Sequence, residues 1–129
     1  MISVQLPLRI VSEANQRGHW ASGAKRAQEQ RGITRLSMQS RGAWDLAATS
    51  LLARHTLRVT LGRIAPRRLD SDNLQRGLKA VRDGVADAMG IDDGDARVEW
   101  VYDQCQGAAK EYGCSIRIEV ASIPDAKHP

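Results

Sequence analysis

The 129-residue chain has little sulfur and little imidazole: two cysteines, Cys105 and Cys114, and three histidines, His19, His55 and His128. Two thiols cannot build a disulfide framework or a four-thiolate zinc centre. The histidines are scattered, so a mixed Cys/His site lacks its spacing, and both cysteines are expected to be reduced thiols on neighbouring strands. No apolar run approaches the roughly eighteen residues of a membrane span. The opening residues, MISVQLPLRIVSE, alternate and carry no basic leader, unlike a signal peptide. The chain therefore reads as cytosolic, with no membrane partner. There is no internal repeat and no low-complexity tract. Acid is also scarce between residues 9 and 41. There only Glu13 and Glu29 stand against Arg9, Arg17, Lys25, Arg26, Arg31, Arg35 and Arg41. A polyanion would be drawn to such a region, and nucleic acid is the commonest one. The net charge of +4 agrees, although a merely solvated basic helix also explains the charge.

With 42% hydrophobic and 26% charged residues, the composition is that of one ordinary globular domain. Ile2, Val4, Leu6, Leu8 and Ile10 alternate as a strand with one buried face. Pro7 cannot donate to a ladder, which predicts an edge or bulged strand. ANQRGHWASG reads as a loop, after which Ser22 caps a helix running to Gln39, with Gly32 weakening its middle. A shorter helix over residues 43–53 would bury Trp44, Leu51 and Leu52. Leu57, Val59 and Leu61 alternate as a second strand, ended by Pro66. Leu74, Leu78, Val81, Val85 and Met89 then form one apolar stripe at helical spacing, predicting a continuous helix over 73–89. Asp72 with Gln75 resembles an acidic capping box, and Gly90 suits a C-terminal stop. Val98, Trp100 and Tyr102 alternate, GAAKEYG turns, and Cys114, Ile116, Ile118 and Val120 alternate again, as in a hairpin. The order β-α-β-α-β-β predicts an α+β (mixed α/β) domain over residues 1–121, one mixed sheet with helices on one face. Residues 122–129 are expected to fray.

Residues 67–95, RRLDSDNLQRGLKAVRDGVADAMGIDDGD, set four arginines and a lysine among seven aspartates. Asp70 follows a strand, Asp72 starts a helix and Asp93 lies in the turn after it. Carboxylates at such exposed places can converge on magnesium, which takes oxygen ligands and keeps several waters. In phosphodiester hydrolysis a metal so held polarises the phosphoryl group and readies a water. The plainer reading makes Asp72 an N-cap, Asp70 a pre-helical residue and Asp92-Asp93-Gly94 a turn. An EF-hand is excluded, because Met89 and Ile91 would fall where ligands belong.

DSDNLQRGLK, residues 70–79, followed by GIDD, residues 90–93, resembles the signature of the RusA-type Holliday-junction resolvases. The resemblance covers roughly residues 57–102, with Asn15 in the preceding loop fitting more loosely. It implies a homodimeric, magnesium-dependent endonuclease that cuts four-way DNA junctions by paired nicks. Asp70, Asp72 and Asp93 match the family's metal-binding acids. Where the family usually has lysine two residues after the leucine, this chain has Arg76. Arginine can grip phosphate but cannot readily lose a proton, so a phosphate-binding role survives the exchange and a proton-transfer role does not.

On this reading Asp70, Asp72 and Asp93 hold Mg2+, and Arg76, with Lys79 a turn further on, contacts phosphate. Arg67, Arg68, Lys25 and Arg26 are candidates for backbone contacts. The competing class is a non-catalytic basic nucleic-acid-binding module; a metal enzyme acting on nucleotides is a third. A continuous 73–89 helix would run about 25 Å, whereas residues 90–93 span at most about 14 Å. Asp93 is therefore expected to serve the partner's site in a C2 dimer.

Overall fold

The computed structural model describes residues 1–12 and 20–122. Its elements are β1 (Ile2–Leu6), α1 (Trp20–Ser40), α2 (Ala43–Leu52), β2 (Thr56–Ala65), α3 (Ser71–Gly77), α4 (Lys79–Met89), β3 (Val98–Gln106) and β4 (Gly113–Ser122). The four strands form one mixed sheet in the order β1-β4-β2-β3. β2 pairs in parallel with β3 and antiparallel with β4, and β4 pairs antiparallel with β1. The helices cover one side, giving the expected α+β fold. β1 is an edge strand, as Pro7 requires; it stops at Leu6, yet Leu8 and Ile10 continue inward as buried residues.

The registers align Val4, Ile116, Leu61 and Tyr102 across the sheet, and Ile2, Ile118, Val59 and Trp100 beside them. This is the apolar face. Leu74, Leu78, Val81, Val85 and Met89 pack against it, so the stripe read from sequence is the core seam. Each fully buried aliphatic side chain there contributes roughly 1.5–3 kcal/mol of hydrophobic stabilisation.

Gly84 sets how closely α1 and α4 cross. A Cβ at this position would lie 2.6 Å from the Arg31 carbonyl oxygen and 2.8 Å from Thr34 Cβ. The glycine is thus a packing requirement and does not break the helix. The break falls at Leu78 (φ −92°, ψ 1°), dividing the expected 73–89 helix into α3 and α4. Leu78 still donates to Leu74 O and accepts from Arg82 N, so the seam bends without losing its hydrogen bonds.

Several expectations are corrected. β3 and β4 do not pair as a hairpin; β2 lies between them. The connection after Gln106 has the reach to step over the end of β2, where Gly107 N donates to Ala65 O. Cys105 and Cys114 therefore sit on strands separated by β2, one exposed and one buried. α1 begins at Trp20, ahead of Ser22, so Ser22 is not its cap and residues 20–23 are helical. In α2 the buried residues are Ala43, Ala47 and Ser50, while Leu52 is 86% and Trp44 59% exposed. Small side chains let α2 sit close, and the Trp44 ring lies over the glycine at 90, which has φ +71° and no side chain. β4 runs to Ser122; the expected frayed tail beyond it, and Asn15, lie outside the described residues.

Candidate functional site

Asp70 is positioned by four contacts converging on the exit of β2. Arg63, 7% exposed, donates from Nε to Ile10 O (2.8 Å) and from Nη1 to Arg67 O (2.5 Å). It stitches residues 8–12 to the bend that follows β2. Burial lowers its pKa, since the charged form is the one desolvation penalises. The Gln104 amide on β3 accepts from Leu69 N (3.0 Å) and donates to Leu69 O (2.8 Å), fixing the residue before Asp70.

Asp70 caps α3. Its Oδ1 accepts from Asn73 N (2.9 Å), and its Oδ2 accepts from Asn73 Nδ2 (3.0 Å). Ser12 Oγ donates to Asn73 Oδ1 (3.0 Å), extending the chain of bonds. The cap is thus Asp70 and not Asp72, and α3 starts earlier than the sequence suggested. A Cβ on Gly77 would come within 2.8 Å of Val11 O, so residues 8–12 lie directly on α3.

Asp72 is exposed in the first turn of α3, and Arg76 is exposed in its last. Arg67 and Arg68 are exposed in the preceding bend. None of these four side chains has a hydrogen bond or ion pair within the chain, among the described residues. Lys25 and Arg26 lie in the first half of α1, Lys25 exposed. Not every base of the Arg9–Arg41 region faces outward unengaged. Arg31 makes a two-pronged pair with Asp87 (2.7 and 2.9 Å), and Arg9 stacks over the Tyr112 ring at 4.1 Å.

Asp93 is held elsewhere. Residues 90–93 double back along α4, so that Asp93 Oδ2 lies 3.3 Å from Arg82 Nε and 3.9 Å from Lys79 Nζ. The Arg82 Nε contact is an ion pair without hydrogen-bond geometry. Lys79 is shared with Asp83 at 3.2 Å. The Asp93 carbonyl accepts from Arg82 Nη2 (2.8 Å) and Trp100 Nε1 (2.9 Å). Arg82 also donates to the Tyr102 hydroxyl (2.8 Å) and stacks over Trp100 at 4.6 Å. The turn itself is an Asx turn: Asp92 Oδ1 accepts from Gly94 N (2.9 Å), which lowers the Asp92 pKa. Asp95, bonded to the Arg97 guanidinium and backbone N–H, is lowered to about 2.

The three acids singled out in the sequence therefore do not converge within one chain. Among the described residues, no three acidic, histidine or cysteine side chains are grouped to hold a metal. Asp70 and Asp72 by themselves are exposed oxygen donors. A carboxylate has about four lone-pair sites, so the bonds to Asn73 leave Asp70 able to accept more. Magnesium commonly takes one or two carboxylates and completes its shell with water and phosphate oxygens. Asp70 and Asp72 are donors of the type such an ion takes. Arg63, Arg82 and Gln104 carry the positioning, and sequence reasoning had singled out none of them.

No protein-family model matches the chain. It is similar to an uncharacterized protein of Xylella fastidiosa (strain Temecula1 / ATCC 700964), with 36% identity over 81 residues, 61% of this chain and 51% of that protein. The chain is matched along about half the length of that relative. Among the described residues, no helix is long and apolar enough to cross a membrane.

Proposed function

We propose that this protein is a cytoplasmic, magnesium-dependent DNA endonuclease of the RusA type, acting as a homodimer that resolves four-way junctions by paired nicks. The observation that carries the reading is the start of α3. Asp70 is held there by Asn73 and, through Leu69, by Gln104, with Asp72 exposed beside it. Arg67, Arg68 and Arg76 stand exposed on the same short segment. Bound magnesium would polarise the phosphoryl group and ready a water. Asp70 and Asp72 hold it, Arg76 grips a phosphate, and Arg67, Arg68, Lys25 and Arg26 contact the DNA backbone. Lys79 is paired with Asp83 and lies 3.9 Å from Asp93, so its part is secondary.

A second reading, a nucleic-acid-binding module without catalysis, draws on the structural work these acids do: Asp70 caps a helix and Asp93 closes an ion cluster. One experiment separates the two. Purified protein is incubated with a synthetic four-way junction or a matched duplex, with magnesium or with chelator. Magnesium-dependent nicking selective for the junction is expected; junction binding without nicking would replace the nuclease by the binding module.

A further inference from the structure

One end of the sheet gathers positive charge that the fold does not pair. Leu6 of β1 and Arg63 of β2 both lie opposite Cys114 of β4, and Arg63 lies opposite Gln104 of β3. The row Leu6, Cys114, Arg63 and Gln104 thus crosses the whole sheet, and Arg63 is buried within it. Just beyond this row stand Arg9, after β1, and Arg67 and Arg68, after β2. Lys110 lies in the connection from β3 to β4, which begins where Gly107 N donates to Ala65 O. Among the described residues none of these five bases makes an ion pair. The pairs that do form lie on α1 and α4, at the Asp93 turn, and at the starts of β2 and β3. The nearby acids are engaged with amide groups: Asp70 accepts from Asn73, Asp103 from Gln104 N and Glu111 from Ala108 N.

Two features distinguish this end from a solvated basic patch. Arg63 is a buried cation that donates only to the carbonyl oxygens of Ile10 and Arg67. Carbonyls satisfy its donors without cancelling its charge, whereas buried charges are usually paired. Burial lowers the Arg63 pKa most, and the like charge of Arg9 lowers it further. Arg9 is itself oriented. Its carbonyl accepts from Gln30 Nε2 (3.1 Å), and its guanidinium lies 4.1 Å over the Tyr112 ring. Stacking uses the face of a guanidinium and leaves its in-plane N–H groups, the fork that grips phosphate with two parallel bonds. Among the described residues that fork donates no hydrogen bond. Two like charges held together, one of them carrying unused donors, suit an anion.

We propose that Arg9, seated on Tyr112 and backed by the buried charge of Arg63, forms a phosphate site for a nucleic-acid strand, continuous with Arg67 and Arg68 beside Asp70. The bound group is a backbone phosphodiester a short way along the strand from the one at Asp70 and Asp72. Arg9 grips it, Tyr112 positions the Arg9 fork, and Arg63 contributes charge alone. The course of the strand past Asp70 rests on the nuclease reading; the phosphate site itself does not.

Binding of the intact protein to a four-way junction, measured in chelator over a range of salt, tests the site. Arg9→Gln should weaken low-salt affinity about tenfold. It should also reduce the slope of log affinity against log salt by about one. Arg9→Lys keeps the charge without the fork, so it should keep the slope and lose affinity. Tyr112→Leu should weaken binding, Tyr112→Phe should not, and Tyr112→Leu should add little to Arg9→Gln because the ring acts through Arg9. Methylphosphonate, a neutral replacement for single phosphates, should weaken wild-type binding at a position to which Arg9→Gln is indifferent. An unchanged salt slope in folded Arg9→Gln protein overturns the site. Thermal protection by inorganic phosphate that Arg9→Gln removes, with junction binding unchanged, would assign a small free anion and overturn the strand. If the binding results hold and magnesium produces no nicking, the nuclease reading has failed and the phosphate site stands.

Discussion

Arg82 Nη2 donates to the carbonyl oxygen of Asp93 at 2.8 Å, tying the turn after α4 back onto that helix. The same guanidinium reaches Tyr102 and covers Trp100, so one side chain joins helix, turn and strand. Its loss leaves partly buried acceptors unpaired. Arg82→Gln is expected to cost about 2–3 kcal/mol in chemical denaturation. Amide exchange should quicken in residues 90–97 more than in α1. Arg82→Lys should rescue little, because an ammonium cannot reproduce the planar fork or its stacking.

Two helical glycines should respond oppositely to alanine. At Gly84 a methyl group would meet the α1 backbone, so Gly84→Ala should destabilise by about 1–3 kcal/mol. Gly32 has nothing within 4 Å of an added Cβ, and Gly32→Ala should stabilise by roughly 0.5–1 kcal/mol through helix propensity. Thermal melts of the two variants decide whether close crossing of α1 and α4 is what Gly84 provides.

Asp70→Asn keeps a good N-cap, since asparagine caps as well as aspartate. Stability should change by less than about 1 kcal/mol, while magnesium-dependent nicking is abolished. Asp72→Asn should behave alike. Junction binding measured in chelator should be kept or strengthened, because removing negative charge cannot weaken attraction to a polyanion. A folded Asp70→Asn protein that nicks at the full rate would sink the metal role.

Asp95 gives a pH signature. Its carboxyl lies near 2 in the folded chain against an ordinary 3.8, chiefly through the Arg97 guanidinium. A depressed folded pKa contributes stability that is present above the unfolded value and lost as pH falls through the folded one. Because Arg97 is largely exposed, solvent screening limits the contribution to roughly 1 kcal/mol or less. Asp95→Asn should therefore destabilise by up to about that amount at pH 7. The difference should shrink as pH is lowered from about 4 towards 2, followed by denaturant unfolding.

The strands and the Leu74–Met89 seam were legible because burial on one face writes a period of two or of about four into the sequence. α2 was misread because its buried face is made of Ala43, Ala47 and Ser50, while its large residues Trp44 and Leu52 point outward; hydrophobicity alone reverses the helix. The false hairpin had a similar origin. Alternation shows which face of a strand is buried but not which strand lies beside it, and β2 stands between β3 and β4. The acids of the candidate site were legible by type and spacing. Their supports were not, since Gln104 lies 35 positions from Leu69 and Arg63 lies 53 from Ile10.

The place of β4 has a consequence for how the chain acquires its structure during synthesis. Leu6 pairs with Cys114, more than a hundred positions later, and β2 gains its second neighbour only from the same late strand. Local contacts such as the α3–α4 seam can form early, but closing the sheet must await β4, and non-local closure of this kind slows folding. Until β4 leaves the ribosome, β1 has no strand to join and β2 shows an open flank. In that interval the nascent chain is most exposed to wrong strand pairing and to capture by chaperones.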